Sequence, residues 1–321
     1  MDVQFNWIFI LIAGFVIFLF IISVVFSQKR NAEVKEDIST INQITTLLKS
    51  KQQIANVYSE MTIPNTNMNF KCDADTRYFS YKISNSERVT LPNEIIFGPQ
   101  DISARKIQIW SQAFDTGFPV SVFTYITTQN SVIIIYNTSG CPYAKQLYDS
   151  LPDNITKKIT SDLSMYGSNK NKKIVCFNGY GCPPANVDYI NIAPAGGLFG
   201  YGNVTFHRKG NINTVKPYLM GAGLYGAIFS DTAEYYGCQM SRALDQFELK
   251  RSLVAKRLEM MRKDLEPSDC SLDFEVILNE EIIPMSNPSF NFDSIALLYD
   301  KADDLYDRNV DLTLSSCPKI Y

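Results

Sequence analysis

Hydrophobic and polar positions divide the chain into three unlike stretches. The first runs from Trp7 to Phe26, WIFILIAGFVIFLFIISVVF, and no ionisable side chain stands between Asp2 and Lys29. A helix of that length, at about 1.5 Å per residue, matches the ~30 Å hydrocarbon layer of a bilayer. A cleavable signal peptide carries a basic leader, a shorter apolar run and a small-x-small exit. Here MDVQFNW has no Lys or Arg, and the run leaves through Val24, Val25 and Phe26. The expectation is a retained single span in the cell membrane, with the bilayer as partner from Trp7 to Phe26.

Beyond the span, Ile38, Ile41, Leu48, Ile54 and Val57 recur near helical spacing among charged residues, which predicts a helical stalk. Two arrangements are open. The stalk folds back onto its own domain, or it pairs with a protein partner or a second copy as a short coiled coil, with Lys51 interrupting the seam.

The second stretch alternates. SEMTIPNTNMNFKCDADT reads as a loop. RYFSYKI, EIIFGP, KIQIWSQAF, PVSVFTYIT and SVIIIYN then read as strands, rich in β-branched and aromatic residues and bounded by Gly, Pro and Asn. SVIIIYN is a near-continuous apolar run, as in a strand covered on both faces. It leads through NTSG into CPYAKQLYDSLP, whose Ala144, Leu147 and Leu151 mark one helix face. KKIVCFN, VDYINI and NVTFHRKG are further strands.

The third stretch is helical. Asp231 is placed to cap a helix with the stripe Tyr236, Met240, Ala243, Phe247, Val254, Leu258 and Met261, ending at Pro267. A short helix from Leu272 to Ile283 follows. A third begins near Phe292 with Ile295, Leu298, Ala302, Leu305 and Leu312 inward. The predicted fold is α/β or α+β: an anchor over 1–28, a stalk over 29–58, a mixed-sheet body with flanking helices over 59–229, and a long helical hairpin over 230–321.

The seven cysteines enter here. Cys176 and Cys182 flank a Gly-rich turn, which predicts a local disulfide. Cys238 and Cys270 stand at opposite ends of one helix and cannot meet, so a return arm is expected to bring Cys317 to Cys238. Such cystine usage points outside the cytoplasm. Lys29, Arg30 and Lys35 just after the span point the other way; the extracytoplasmic placement is preferred.

Candidate chemistry is sparse. Cys141 stands at a helix N-terminus, where thiolate is favoured. SGCPYAKQL resembles the glutaredoxin active-site turn, with Ala144 where the second Cys of that family stands, which implies monothiol chemistry at most. GAGLYG (221–226) lacks the strand–turn–helix setting of a dinucleotide fingerprint, and AGGLFGYG (195–202) lacks the Lys-Ser/Thr of a phosphate loop. Both are expected to be structural. His207 is the only histidine, which removes multi-His metal sites within one chain, and it is expected on a strand's outer face. Asp300, Asp303, Asp304, Asp307 and Asp311 form a helix stripe read as a solvated face, or one paired with the basic residues of the long helix. A net charge of -3 with no basic aromatic patch argues against nucleic acid. No cofactor or metal is implied.

At its ends the chain resembles a group of uncharacterised archaeal single-span membrane proteins, through MDVQFNWIFILIAG, LYGAIFSD and SCPKIY. The resemblance implies archaeal membrane anchoring and a patterned Cys317, with no activity attached. The expected function is therefore a membrane-anchored, non-enzymatic envelope or interaction protein. The alternative is a membrane-tethered enzyme, thiol-dependent through Cys141 or with a small-molecule site at the carboxyl ends of the parallel strands.

Overall fold

The computed structural model describes the chain except residues 1, 52–53, 74, 85, 138–139, 165–170, 185 and 211, and except the side chains of 2–10, 30–34, 36, 65–66 and 212. It is a mixed α/β fold with two mixed sheets and an apolar helix at its N-terminus.

Helix α1 (Asp2–Lys51) joins the predicted span and stalk without a break. Within it, the 19 residues Leu11–Lys29 have the length and composition of a membrane span or a signal sequence, and the protein buries none of them. The sequence-predicted residues Trp7–Ile10 have side chains outside the described set. At the other end of α1, Ile44 and Leu48 are buried and Ile41 and Leu47 pack beside them. The Tyr81 hydroxyl donates to the Ile41 carbonyl at 3.0 Å and lies 2.7 Å from Thr45 Oγ1. The apolar positions at 41, 44 and 48 are thus spent on the chain's own sheet.

The first sheet comprises β1 (Tyr58–Cys72), β2 (Phe79–Ile83), β3 (Val89–Leu91), β4 (Ile95–Phe97), β5 (Asp101–Asp115) and β6 (Pro119–Thr128), in the order β3-β2-β1-β5-β6-β4. All neighbours are antiparallel except β4 and β6. The segment read as a loop around Cys72 is β1. Its Ile63, Met68 and Phe70 are buried, and the alternation of Asn with apolar residues suits a half-buried strand.

The second sheet comprises β7 (Val132–Tyr136), β8 (Lys157–Thr160), β9 (Lys172–Phe177), β10 (Tyr189–Pro194), β11 (Tyr201–Arg208) and β12 (Ile212–Leu219), in the order β12-β11-β10-β9-β7-β8. Strands β8, β7, β9 and β10 are parallel; β11 and β12 extend the sheet antiparallel. Helix α2 (Pro142–Ser150) makes the crossover from β7 to β8.

Helix α3 (Met220–Phe229) is the joint between the sheets. Residues 222–229 are all buried, and the helix touches β4, β5 and β6 on one side and β9, β11 and β12 on the other. A helix apolar all round has no solvent face to offer. GAGLYG is the start of this helix; Gly226 lies so close to Phe97 that a Cβ there would meet the ring at 2.9 Å.

Helix α4 (Ala233–Asp264) packs into the core over its first half. Tyr235, Tyr236, Gln239, Met240, Ala243, Leu244 and Phe247 are buried, and α4 touches β1, β4, β6 and β12. Its N-cap is Thr232, whose Oγ1 accepts from Tyr235 N at 3.1 Å, and not Asp231. Helix α5 (Asp269–Ile277) and a π-helical turn (Leu278–Ile282) run against α4. Helix α6 (Phe292–Leu314) buries the five predicted residues Ile295, Leu298, Ala302, Leu305 and Leu312, and lies on β11 and β12.

The disulfides are Cys72–Cys238, Cys176–Cys182 and Cys270–Cys317. The expected Cys238–Cys317 pair is therefore corrected. Because α6 turns onto the second sheet instead of retracing α4, Cys317 arrives at the start of α5 beside Cys270. The buried N-terminal half of α4 instead sets Cys238 against the end of β1.

Candidate functional site

Cys141, the thiol left free, is 4% exposed. Its backbone N–H donates to Asn137 Oδ1 at 3.1 Å, so the amide just ahead of α2 is already satisfied. The topology places it at a notable point. From β7 the chain crosses through α2 to β8, and from β9 it moves the opposite way to β10, so the strand order reverses between β7 and β9. Ligands of open parallel sheets bind at such reversals. Just past the ends of β7 and β9, Tyr143 and Tyr180, the latter inside the Cys176–Cys182 turn, meet edge-on at 6.4 Å.

His207 is half-buried rather than fully outward. Its ring stacks on Tyr189 at 4.2 Å across the β10–β11 ladder. Burial lowers its pKa, opposed by a hydrogen bond with Asn213. Asp231, freed from capping, ties both sheets together: its carboxylate accepts from Lys173 and, at 2.9 Å, from Gln100 N, while its carbonyl accepts from Arg208. Burial lowers the Lys173 pKa and Asp231 opposes it. The cluster is internally satisfied and serves as a strut. Among the described residues no group of His, Cys, Asp and Glu is set to hold a metal.

One cleft combines open volume with unspent chemistry. It holds about 610 Å³ between the β5–β6 turn, the β10–β11 loop and α6, and is lined by Asp115, Phe199, Tyr299, Asp303, Tyr306 and Tyr321 among others. This lies in the size range of small-molecule sites. Phe199, Tyr306 and Tyr321 are 38%, 61% and 38% exposed, an unusual aromatic display for a surface. Among the described residues no Lys, Arg or His lines it. Desolvation raises the Asp115 pKa, and burial, then Asp115, then Tyr306 raise that of Tyr321. A carboxyl with a raised folded-state pKa favours the fold only while protonated, and that contribution is lost as pH rises through the folded pKa. Burial thus disfavours the ionised form of Asp115.

Two glycines bring the walls together. Gly117, at φ +79°, lets the β5–β6 turn approach α6, where a Cβ would meet the Ala302 carbonyl oxygen at 2.9 Å. Gly200, in the AGGLFGYG run, leaves room for the Tyr299 ring, which a Cβ would meet at 3.1 Å. That run is thus the loop from β10 into the start of β11 and forms one wall. Gly117→Ala is expected to destabilise the chain by about 2–4 kcal/mol, since it joins a left-handed backbone penalty to a clash with main chain. Thermal unfolding of the full chain in detergent checks this; an unchanged midpoint would contradict the close approach.

Sequence reasoning missed this cleft, although part of its signal was present. Tyr299, Ala302, Asp303 and Tyr306 recur at i, i+3, i+4 and i+7, one face of α6. The acidic stripe alone does not point to these aromatic neighbours. Nor does that stripe pair with α4. Lys301 takes Glu281 at 3.1 Å and Asp304 at 3.3 Å, whereas Arg251 and Arg262 of α4 pair with Glu248 and Glu275.

A second groove of about 620 Å³ on the first sheet is polar. Its Arg88 is committed to Asn69 and Ser80, and Asn69 in turn to Asp101. Comparison with known proteins found no matching family, no match among curated proteins and none among solved structures.

Proposed function

We propose that this chain is a single-span, membrane-anchored binding protein whose domain stands outside the cytoplasm. The observation that carries the reading is the pairing of an apolar helix with a disulfide-closed domain. Leu11–Lys29 exposes its apolar side chains to no protein partner of its own, and six cysteines beyond it are bonded. Such bonds persist in oxidising surroundings. Binding is favoured over thiol catalysis because Cys141 is buried and lines none of the described clefts. The bilayer is the partner of the span, and α1 carries the domain away from it.

The test is thiol labelling of intact cells expressing the full chain with a membrane-impermeant maleimide. Little label is expected before reduction, since Cys141 is shielded, and strong label after an impermeant reductant opens the disulfides. Labelling that requires lysis but no reductant would overturn the reading, as would rapid labelling of Cys141 in the unreduced protein.

A further inference from the structure

We propose that the cleft between α6, the β5–β6 turn and the β10–β11 loop binds a small organic cation through a methylated ammonium group. The inference rests on the reading of the chain as a binding protein and names the ligand class.

Three features converge. The first is charge: Asp115 and Asp303 line the cleft, and among the described residues no basic side chain accompanies them. Asp115 enters no salt bridge among the described residues. A carboxylate left without a cation in a partly dry cleft is complementary to a cation supplied from outside.

The second is the aromatic wall. Tyr299 and Tyr306 come from one face of α6, Phe199 from the facing loop, and Tyr321 from beyond the helix end. Aromatic faces carry a negative quadrupole and attract ammonium groups, most of all those whose hydration is weak. A primary ammonium needs three acceptors to replace its water. A quaternary methylated ammonium has no N–H and needs none, and its methyl groups fill apolar space.

The third is rigidity. Tyr299 packs against Tyr201, the rings tilted with centroids 5.2 Å apart, and lies close to Gly200, while Gly117 lets the Asp115 turn pack on Ala302 and Leu305. Met220, also in the lining, holds φ +57°, a left-handed conformation costly for a residue with a side chain. The walls are set before any ligand arrives, which lowers the cost of binding. The cleft volume exceeds a bare ammonium, so the ligand carries further groups.

The experiment is calorimetric titration of the purified full chain in detergent with choline, with glycerophosphocholine, and with 3,3-dimethyl-1-butanol, the neutral isostere of choline. Choline is expected to bind and the isostere to bind at least about tenfold more weakly, because only the cation gains from the ring faces and Asp115. Asp115→Asn is expected to lower choline affinity about tenfold, and Tyr306→Leu, at an exposed position that keeps apolar bulk, about three- to tenfold. Tighter binding of glycerophosphocholine than choline would support the ammonium site and assign a lipid headgroup as its source. Equal binding of the isostere, no binding of either choline compound, or choline affinity unmoved by both variants would overturn the proposal. The titration does not depend on which side of the membrane the domain occupies. Failure here with reduction-dependent labelling intact would remove the ligand class and leave the anchored-protein reading standing.

Discussion

Replacing Phe97 by Ala is expected to lower the unfolding free energy by about 3–5 kcal/mol. Phe97 ends β4 and is completely buried. Its ring packs against Phe123 at 5.2 Å and Tyr125 at 5.9 Å on β6, and against Tyr236 at 6.0 Å on α4. It also lies on the α3 backbone at Gly226. The side chain therefore joins the first sheet to both helices that carry the second. Removing it leaves a cavity that cannot collapse readily, because the facing wall is helix backbone and three large rings held by other contacts. Trp110 reports the event well: it is buried within 4.9 Å of Tyr125 and 4.8 Å of Tyr225. Thermal unfolding of the full chain in detergent, followed by tryptophan fluorescence, is expected to show a midpoint roughly 6–15 °C lower. A shift of less than a degree would mean that the two sheets do not share one core through Phe97. Gly226→Ala in the same assay probes the opposite side of the contact and is expected to destabilise by overpacking, typically about 1–3 kcal/mol.

The strands that could be read from sequence are those whose apolar content is dense enough to outweigh everything else. β7 is VIIIY and β6 is PVSVFTYITT, and no competing periodicity fits them. The inward face of α6 was equally plain, since its five buried positions keep a strict helical spacing. β1 was hidden because Asn at 65, 67 and 69 is a turn-forming residue, although Met68 and Phe70 alternate between them. The edge strand β12 was hidden by Pro217, which an edge position tolerates. α3 is short, and its small residues carry no period, because burial on every side removes the polar face that makes one visible. The cleft draws Asp115, Phe199 and Tyr299 from segments about 80 to 100 residues apart in sequence. Only the fold brings them together, and no local pattern encodes a charge left unpaired. The disulfide misassignment has the same origin. A return arm retracing α4 would bring Cys317 to Cys238, whereas α6 turns onto the second sheet and burial of the first half of α4 sets Cys238 against β1.

Removal of the Cys72–Cys238 bond, by Ala at both positions, is expected to cost more than removal of either other disulfide. The bond joins the end of β1 to α4 across 166 residues, with Cα atoms 6.2 Å apart, against separations of 47 and 6 for Cys270–Cys317 and Cys176–Cys182. Loop-closure entropy withheld from the unfolded chain gives upper values of about 5, 4 and 2 kcal/mol in that order. Realised values run lower where the unfolded chain keeps structure, so about 2–5 kcal/mol is the expected loss for the longest loop. Its position strengthens the ranking. Cys238 lies in the first turns of α4, among Tyr235, Tyr236 and Met240, so the bond fastens the first sheet to the helix that crosses the core. The three double variants, unfolded in parallel without reductant, give the order directly. Adding reductant to the parent chain then has a definite meaning. A domain built for an oxidising compartment loses the summed contribution and its midpoint falls steeply. A midpoint that holds under full reduction, with all six thiols shown to be free, would mean that the fold does not need its disulfides, and the strongest argument for placing the domain outside the cytoplasm would go with them.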